Sequence, residues 1–242
     1  MTGPAAHGVA LRLHWSPDSA NLVVRIALEE LGLPFEAVRV DRARGAHKAP
    51  AYLALNPQGL IPVLEDGELV LFETGAILMH LADRTGRLGP GGPAAGAPVA
   101  RAAFLKWLFY LSNTLHADLR AAFYSPRYVA GEAAVPALRA GLARRIAGHC
   151  GLLEGQLSAA GWLAGEGPTL VDIYLAVCLR WARLYPTGAP VLGTFGFARL
   201  SALLAALEAR PALARACAAE HIPGRPLTAP EPPALPAAAV TG

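Results

Sequence analysis

The residues best placed to bind a ligand follow a turn-forming tetrapeptide. Residues 56–59 (Asn-Pro-Gln-Gly) combine a proline, which presets φ, with a glycine, which allows positive φ. Residues 61–64 then form an apolar stretch typical of a buried strand, but Pro62 within it cannot donate a hydrogen bond to a sheet. If the Ile61–Pro62 bond is cis, the N–H and C=O of Ile61 stay unpaired and could bind an extended peptide as an added strand.

A site for an anion is predicted shortly after this strand. Residues 66–67 (Asp-Gly) mark a tight hairpin, residues 69–72 form the return strand, and Glu73 and Thr74 then open an apolar-periodic helix. The N-terminus of a helix attracts anions because its first N–H groups are free and its dipole is positive there. A clamp for a peptide backbone beside a site for a carboxylate suits a small peptide that carries carboxylates.

The pairing of these two motifs resembles the glutathione-binding half of the cytosolic glutathione S-transferase family, in its bacterial, beta- or theta-like members. The resemblance extends over residues 11–219. It implies that glutathione is the co-substrate, with Ile61 on its cysteinyl backbone, Thr74 on its γ-glutamyl carboxylate and Glu73 facing its γ-glutamyl ammonium. The glutathione-binding residues implied in this way are His47, Lys48, Gln58, Gly59, Ile61, Pro62, Glu73 and Thr74.

The resemblance places four of these residues at the glycyl end of glutathione. In the family, a His, Gln or Lys lies near the glycyl carboxylate, and His47 and Lys48 occupy that place in this sequence. Gln58 and Gly59 flank the same groove. A lysine exposed to solvent is the alternative interpretation of Lys48, and a plain helix cap is the alternative for Glu73 and Thr74.

A transferase of this kind must stabilise a thiolate, because a free thiol with a pKa of about 8.5 is mostly protonated at neutral pH. The loop after the first strand ends at a helix N-terminus, whose N–H groups and dipole point at the loop. The family places a Tyr, Ser or Cys here, but the cysteine of the beta class falls on Ala20. The candidate thiol partners are Ser19 first, then Asn21 and then Ser16, and for each the alternative is a helix cap.

The second substrate is expected in the cleft between two domains. In the family, the first long helix of the second domain faces this cleft, and an aromatic pocket suits an apolar electrophile. The residues predicted to line the pocket are Trp107, Tyr110, Asn113, His116 and Tyr124. Core packing is the alternative for aromatic residues at helical spacing.

The order of the predicted elements indicates the fold class. A strand at 11–13, a helix at 21–31 and a strand at 35–40 make a βαβ unit, which requires a parallel pair of strands with a right-handed crossover. With the hairpin and the helix from Glu73, this order is the thioredoxin-like fold. The predicted fold is therefore an α/β thioredoxin-like N-terminal domain followed by an all-α C-terminal helical bundle, the glutathione transferase fold.

The second half reads as helical throughout. Helices are predicted at 99–122, 135–157, from 170, at 195–209 and at 211–219. Thr169 and Asp172 resemble a capping box, so Asp172 is predicted to be a folding residue and not a catalyst. The predicted domains are 9–86 and 99–220, joined by a Pro- and Gly-rich linker at 87–98 and followed by a poorly ordered Pro- and Ala-rich tail at 221–242.

Composition excludes several functional classes. The 21 basic and 18 acidic residues give a net charge of +3 and are scattered, so no nucleic-acid partner is expected. No apolar run is long enough for a membrane helix and no secretory signal is visible, so we expect a cytoplasmic protein without a membrane partner. Cys150, Cys178 and Cys217 have no metal-binding spacing, so they are predicted to be reduced thiols, and no metal is expected.

The leading hypothesis is a glutathione S-transferase that conjugates the glutathione thiolate to apolar electrophiles, with glutathione-dependent reduction of peroxides as a further activity. A glutathione-dependent isomerase, dehalogenase or ether-cleaving lyase is the alternative among enzymes. A non-catalytic protein that binds ligands or a partner is the alternative from another class, since fold alone does not determine function. The resemblance also implies a homodimer and a role in detoxification.

Overall fold

The computed structural model describes residues 11–90 and 98–234. The first half contains a four-stranded sheet with the strand order β2-β1-β3-β4. Its elements are β1 (Leu11–Trp15), α1 (Asn21–Leu31), β2 (Phe35–Arg39), α2 (Pro50–Leu53), β3 (Val63–Asp66), β4 (Leu69–Phe72) and α3 (Thr74–Thr85).

The sheet is mixed, as the predicted fold requires. β1 runs parallel to β2, with Leu11 opposite Phe35, and the crossover between them is α1. β1 is antiparallel to β3, with His14 opposite Val63, and β3 pairs with β4 as a hairpin. This topology confirms the prediction of an α/β thioredoxin-like domain. The sequence could predict it because strand and helix periodicities are local features, and the βαβ order allows few topologies.

Several boundaries differ from the prediction by a few residues, two of them at the strands beside the predicted site. The strand expected at 61–64 begins only at Val63, because Pro62 has no N–H for the ladder. The strand expected at 11–13 continues to Trp15, which lies opposite Arg39 of β2. α1 ends at the predicted Gly32, which has a φ of 68° and closes the helix in the left-handed conformation.

The second half of the described chain is helical, as predicted. The segment expected as one helix at 99–122 is α4 (Pro98–Tyr110), a π-helical turn (Leu111–Leu115) and α5 (His116–Phe123). The wider turn rotates α5 relative to α4, and π turns of this kind often lie at functional sites. The remaining helices are α6 (Val135–Gln156), α7 (Leu170–Leu184), α8 (Ala198–Glu208) and α9 (Pro211–Ala219).

One continuous apolar core joins the two halves. α1 packs against α3 of its own half and against α7 and α9 of the helical half. Leu22, Val24 and Leu28 of α1 are completely buried, and Leu175 and Leu179 of α7 belong to the same cluster. Within residues 11–90 and 98–234, no helix has both the length and the hydropathy that crossing a membrane requires.

The prediction of a poorly ordered tail is wrong for residues 221–234. Arg183 of α7 donates hydrogen bonds to the carbonyl oxygens of Leu227 and Thr228, at 2.7 and 2.9 Å. Glu208 accepts from the N–H groups of the same two residues, and Leu227 is only 1% exposed. Composition suggested disorder, but fixed side chains of α7 and α8 bind this segment. The rest of the predicted tail, 235–242, and residues 91–97 of the predicted linker lie outside the described residues.

The predicted capping box opens α7. The carboxylate of Asp172 accepts hydrogen bonds from the N–H and the hydroxyl of Thr169, at 2.8 and 2.7 Å, and from the N–H of Leu163 at 2.7 Å. Asp172 is completely buried. The side chain therefore ties the start of α7 to the loop before it, which is a structural role.

We predict that Asp172→Ala lowers the free energy of unfolding by about 3 kcal/mol, because the change removes a cap and leaves buried donors without an acceptor. Chemical denaturation monitored by circular dichroism measures the loss. Asp83→Ala, which removes a surface ion pair with Arg101, is the matched control and should cost about 0.5 kcal/mol. Equal losses in the two variants would contradict the structural role of Asp172.

Candidate functional site

The main chain at Ile61 and Pro62, just before β3, is the predicted peptide clamp. The Ile61–Pro62 bond is cis, which confirms the prediction. Neither the N–H nor the C=O of Ile61 has a hydrogen-bond partner in the part of the chain that the structure describes. Ile61 is therefore an open main-chain edge beside the ordered ladder of β1 and β3, where an extended peptide could pair.

Asn56 shapes the turn that leads to this edge. The side chain is 2% exposed; its amide donates to the carbonyl of Leu60 at 2.8 Å, and its oxygen accepts from the N–H of Gln58 at 3.1 Å. Tyr52 donates to the same Leu60 carbonyl at 2.8 Å. Because these bonds engage Leu60, the next residue, Ile61, is presented in one fixed orientation.

The N-terminus of α3 lies close to this turn. Thr74 is the first residue of the helix and 6% exposed, and its hydroxyl has no partner among the described residues. Glu73 precedes it with a φ of 73°, a conformation that side-chain-bearing residues rarely adopt. Its Oε1 accepts from the amide of Gln58 at 3.2 Å. The start of α3 therefore brings together free helix N–H groups, the Thr74 hydroxyl and the Glu73 carboxylate. An amino acid headgroup could bind there.

His47 and Lys48 lie against Gly59 on the other side of the turn. A Cβ at Gly59 would lie 2.6 Å from the His47 carbonyl oxygen and 2.8 Å from Lys48 Nζ, so only glycine fits this contact, and its φ of 61° also favours glycine. Lys48 Nζ donates to the carbonyl of Gln58 at 3.1 Å. Among the residues that the structure describes, the buried Nδ1 atom of His47 has no hydrogen-bond partner, and burial together with Arg42 and Lys48 lowers the pKa of its imidazole.

The structure separates the three candidate thiol partners. Asn21 is completely buried, its Oδ1 accepts from the Ser16 N–H at 2.9 Å, and its amide donates to Glu220 at 2.6 Å. Asn21 therefore does not reach the cleft. The Ser19 hydroxyl donates its only proton to the same Oδ1 atom at 2.5 Å. The Ser16 hydroxyl has no partner in the described ranges.

Register places Ser16 beside the clamp. β1 and β3 pair with His14 opposite Val63 and Leu13 opposite Leu64. Continued past the end of the ladder, this antiparallel register would bring Ser16 opposite Ile61. Of the three candidates, Ser16 alone combines a free hydroxyl with a position at the open main-chain edge.

Two buried carboxylates hold the loop that carries Ser16. Asp18 has a φ of 48° and accepts two hydrogen bonds from the Arg180 guanidinium, at 3.0 and 2.8 Å. It also accepts from Trp181 Nε1 at 3.0 Å and from the Tyr185 hydroxyl at 2.7 Å. Glu220, after α9, accepts from the N–H of Asp18 at 2.9 Å. The conformation of residues 16–20, the proposed thiol loop, therefore depends on residues of the helical half.

Sequence reasoning missed this network, although one signal was visible. Arg180 interrupts the apolar run of α7, and an arginine on the buried face of a helix indicates a buried acidic partner. That partner, Asp18, lies 162 residues away in the sequence, and no motif around it marks it as the partner of Arg180. Glu220 likewise ends α9 without any motif around it.

The predicted pocket residues His116 and Tyr124 have different surroundings. His116 Nδ1 and the Tyr174 hydroxyl are 2.7 Å apart, and the His116 ring lies 5.2 Å from that of Trp181. Burial lowers the pKa of His116 to about 4, so the ring is neutral at physiological pH. The Tyr124 hydroxyl is 3.4 Å from Arg42 of the sheet half, so Tyr124 lies where the two halves meet.

The other three predicted pocket residues do not form one wall with them. The Tyr110 hydroxyl points to α6, where it is 2.7 Å from His149 Nδ1, and the buried Trp107 ring packs edge-on against Tyr110. The opposite face of the helix, with Leu108 and Ser112, is the one that approaches Gly75 at the start of α3. The role of Trp107 and Tyr110 in the pocket therefore stays a prediction, and their contacts do not favour it. Asn113 is exposed, and its Oδ1 accepts from the Ser112 hydroxyl at 3.0 Å.

The cysteines play no part in this site. Cys150, Cys178 and Cys217 are all buried, and burial raises the pKa of each thiol, to about 12 for Cys150 and Cys217. Within residues 11–90 and 98–234, no group of three or more His, Cys, Asp or Glu side chains is arranged to hold a metal ion.

Comparison with known proteins gives a consistent result. The family model of the glutathione S-transferase N-terminal domain matches residues 11–83, and that of the C-terminal domain matches residues 136–219. Glutathione S-transferase 3 of Zea mays is 34% identical, over 89% of this chain and 97% of its own length. Glutathione S-transferase GST-4.5 of Xanthomonas campestris is 32% identical, over 71% and 82%.

Solved structures agree with the sequence relatives. A glutathione transferase homologue from Sulfitobacter, with bound glutathione, is 27% identical and superposes with a TM-score of 0.73 over 86% of this chain and 96% of its own. A sphingomonad glutathione S-transferase complexed with glutathione is 29% identical and has a TM-score of 0.71 over 86% and 98%.

We predict that Glu220 makes stability depend on pH. Burial raises the pKa of Glu220 to about 7 from an ordinary value of 4.5, and Arg25 and the Asp18 N–H offset this only in part. The folded protein therefore binds this proton more tightly than the unfolded chain, so the contribution is complete below pH 4.5 and is lost as the pH rises through about 7. Relative to Glu220→Gln, the wild-type protein should lose about 3 kcal/mol over this range in urea unfolding curves.

Glu208→Gln is the control with the opposite sign. Although burial raises the pKa of Glu208, hydrogen bonds from Thr228 and Leu227 lower it overall. The wild-type protein should therefore gain stability relative to this variant as the pH rises. A difference between wild type and Glu220→Gln that does not change with pH would contradict the prediction.

Proposed function

The chain belongs to the glutathione S-transferase family, and from this premise we propose that it binds glutathione along the Ile61 edge and transfers its thiolate to electrophilic substrates. The observation that carries the proposal is the free N–H and C=O of Ile61, a short distance along the hairpin from the free hydroxyl of Thr74 at the N-terminus of α3. A main-chain clamp and an anion site in this order match the middle and the γ-glutamyl end of the tripeptide.

Each binding group of glutathione, main-chain or charged, has a counterpart among the residues of this site. The cysteinyl N–H and C=O pair with Ile61 as one added strand. The γ-glutamyl carboxylate binds the Thr74 hydroxyl and the first N–H groups of α3, and the γ-glutamyl ammonium faces Glu73, which Gln58 orients. At the other end, the glycyl carboxylate lies near His47 and Lys48.

Ser16 is the proposed thiol partner. An extended cysteinyl residue paired with Ile61 projects its side chain toward the end of β1, where Ser16 lies in register. A hydroxyl that donates to sulfur stabilises S⁻ over SH, and the N-terminus of α1 favours the same negative charge. Ser19 and Asn21, which the sequence ranked higher, then act as supports: Asn21 holds the Ser16 N–H, and Ser19 holds Asn21.

The reaction needs little more than a prepared thiolate and a placed electrophile. The sulfur lone pair forms a bond to the electrophilic carbon, and the bond to the leaving group breaks with its electron pair. Binding both molecules in one cleft removes most of the entropic cost of bringing the reactants together, and the Ser16 hydroxyl stabilises the negative charge of the sulfur.

Further properties follow from family membership and are part of this proposal. They are reduction of peroxides by the same thiolate, a cytoplasmic location and a role in detoxification. The relatives named above are transferases, which supports conjugation over an isomerase, dehalogenase or ether-cleaving lyase and over a non-catalytic binding protein.

We predict that Ser16→Ala still binds glutathione but activates it poorly. The pKa of the bound thiol should rise by about one unit, since one charge-assisted hydrogen bond is worth about 1.5 kcal/mol. At a pH below that pKa, the rate of conjugation of 1-chloro-2,4-dinitrobenzene should fall about tenfold. The thiolate absorbance of the complex, titrated against pH, and the pH profile of kcat/KM measure both effects.

Ser19→Ala is the matched control, because its hydroxyl proton is already donated to Asn21. It should change the thiol pKa less than Ser16→Ala does. If Ser19→Ala raises the thiol pKa and Ser16→Ala leaves it unchanged, Ser16 is not the partner. If wild-type protein shows neither heat on titration with glutathione nor conjugation, the proposed function is wrong.

A homodimer is also proposed. Relatives in the family pair the first domain of one subunit with the second domain of the other, and both parts of this chain carry exposed apolar residues. Leu69 and Val70 of the edge strand β4 are 43% and 37% exposed, and Val99 and Phe109 of α4 are 82% and 58% exposed. Such residues on two separate faces suit a reciprocal contact between two copies.

We predict a dimer in sedimentation velocity, and a shift to monomer in the double variant Val70→Glu with Phe109→Glu, because two charges would be buried in the interface without partners. Leu152→Glu, at a residue of α6 that is 46% exposed outside both faces, is the control and should remain dimeric. Wild-type protein that sediments as a monomer at micromolar concentration contradicts the proposal.

A further inference from the structure

Two arginines from different halves of the chain converge on one tyrosine at the edge of the cleft. Arg42 follows β2, and its Nη2 atom lies 3.4 Å from the Tyr124 hydroxyl. Arg127 follows α5, and its guanidinium carbon lies 4.8 Å from the centre of the Tyr124 ring. One guanidinium therefore lies at the rim of the ring and the other over its face. We name Arg42, Tyr124 and Arg127 the arginine gate.

Neither arginine of the gate has an acidic partner within residues 11–90 and 98–234. Asp41, the neighbour of Arg42, is engaged by Arg44 at 3.7 Å. Several other arginines do pair with carboxylates, such as Arg210 with Glu30 at 2.6 Å. Bringing two unpaired cations to one side chain costs Coulomb energy, which a bound anion would offset.

The gate adjoins the proposed glutathione site without being needed for it. Arg42, Lys48 and Arg127 all lie near enough to His47 to lower the pKa of its imidazole, after the larger effect of burial. Lys48 and His47, next to Gly59, account for the glycyl carboxylate of glutathione. The two guanidinium groups of the gate are then left over for another negative charge.

The gate also adjoins the proposed thiol loop. Tyr124 is close enough to Tyr185 to affect the pKa of its hydroxyl, which burial raises first, and that hydroxyl donates to Asp18 of the loop. The Phe123 ring lies 5.9 Å from the Tyr185 ring, edge to face. A molecule that reaches the thiol from the gate therefore passes an aromatic wall and keeps its charged end at the arginines.

We propose that the electrophile of this enzyme carries a carboxylate, which Arg42 and Arg127 bind while the apolar part lies along the aromatic wall. This inference rests on the proposed transferase function, and it replaces the purely apolar electrophile expected from the sequence. Guanidinium groups suit this task because they are always charged and match a carboxylate in shape.

The test uses two benzylic bromides that differ only in charge, 4-(bromomethyl)benzoate and 4-(bromomethyl)benzamide. In each, the glutathione sulfur bonds to the benzylic carbon, bromide leaves with the bonding electrons, and the thiol proton passes to solvent. Rates are divided by the rate with free glutathione at the same pH. Wild-type enzyme should prefer the benzoate in kcat/KM by about tenfold or more, the factor of one charge-assisted hydrogen bond.

The variants Arg42→Gln and Arg127→Gln should each lower kcat/KM for the benzoate by about tenfold and leave that for the benzamide nearly unchanged. The KM for glutathione should stay the same in both. Arg144→Gln removes the same charge from an exposed position on α6 and is the control for net charge, with no effect on the preference.

Three outcomes overturn the inference. Wild-type enzyme could treat the two bromides alike, the gate variants could slow both equally, or they could raise the KM for glutathione while the preference for benzoate persists. The last result would assign the gate to the glycyl carboxylate. Each of these requires conjugation of the benzamide by wild-type enzyme, so a failure of the proposed function, with neither bromide conjugated, is distinct.

Discussion

The burial of two carboxylates beside the first helix is the constraint on which the site depends. Asp18 and Glu220 have almost no access to water, and a buried charge is costly unless donors surround it. Arg180, Trp181 and Tyr185 satisfy Asp18, while Asn21 and Arg25 satisfy Glu220. Because these donors come from opposite halves of the chain, the loop between β1 and α1 has one conformation only when both halves are folded together.

In the proposed mechanism, the helical half is therefore part of the thiol site. Ser16 owes its position to β1, and its backbone is held by Asn21, which in turn binds Glu220 after α9. The Ile61 edge, by contrast, is built within the sheet half by the local turn around Asn56. The proposed binding of the peptide and the proposed activation of its thiol therefore have different structural supports, and the second is the more sensitive to packing between the halves.

Charge is distributed unevenly around the cleft. The partly buried rings of Phe123 and Tyr185, 5.9 Å apart and edge to face, make the inner wall aromatic. Arg42 and Arg127 lie at the outer edge with Tyr124 between them. An amphiphilic substrate fits this arrangement, since its apolar body loses water against the wall and its charged end stays at the more exposed rim, where desolvation costs less.

Features that depend on a few neighbouring residues could be predicted from the sequence. The turn at 56–59, the cis Ile61–Pro62 bond, the end of α1 at Gly32 and the capping box of Asp172 all follow from short-range sterics and hydrogen bonds. Tertiary structure decided which groups remained free. The sequence favours Ser19 and Asn21 as thiol partners, but the fold engages both in hydrogen bonds to other residues. In the same way, the face of α4 that carries Tyr110 packs against α6. A hydrogen-bonding group has few bonds to give, and which partner engages it is settled by residues far away in the chain.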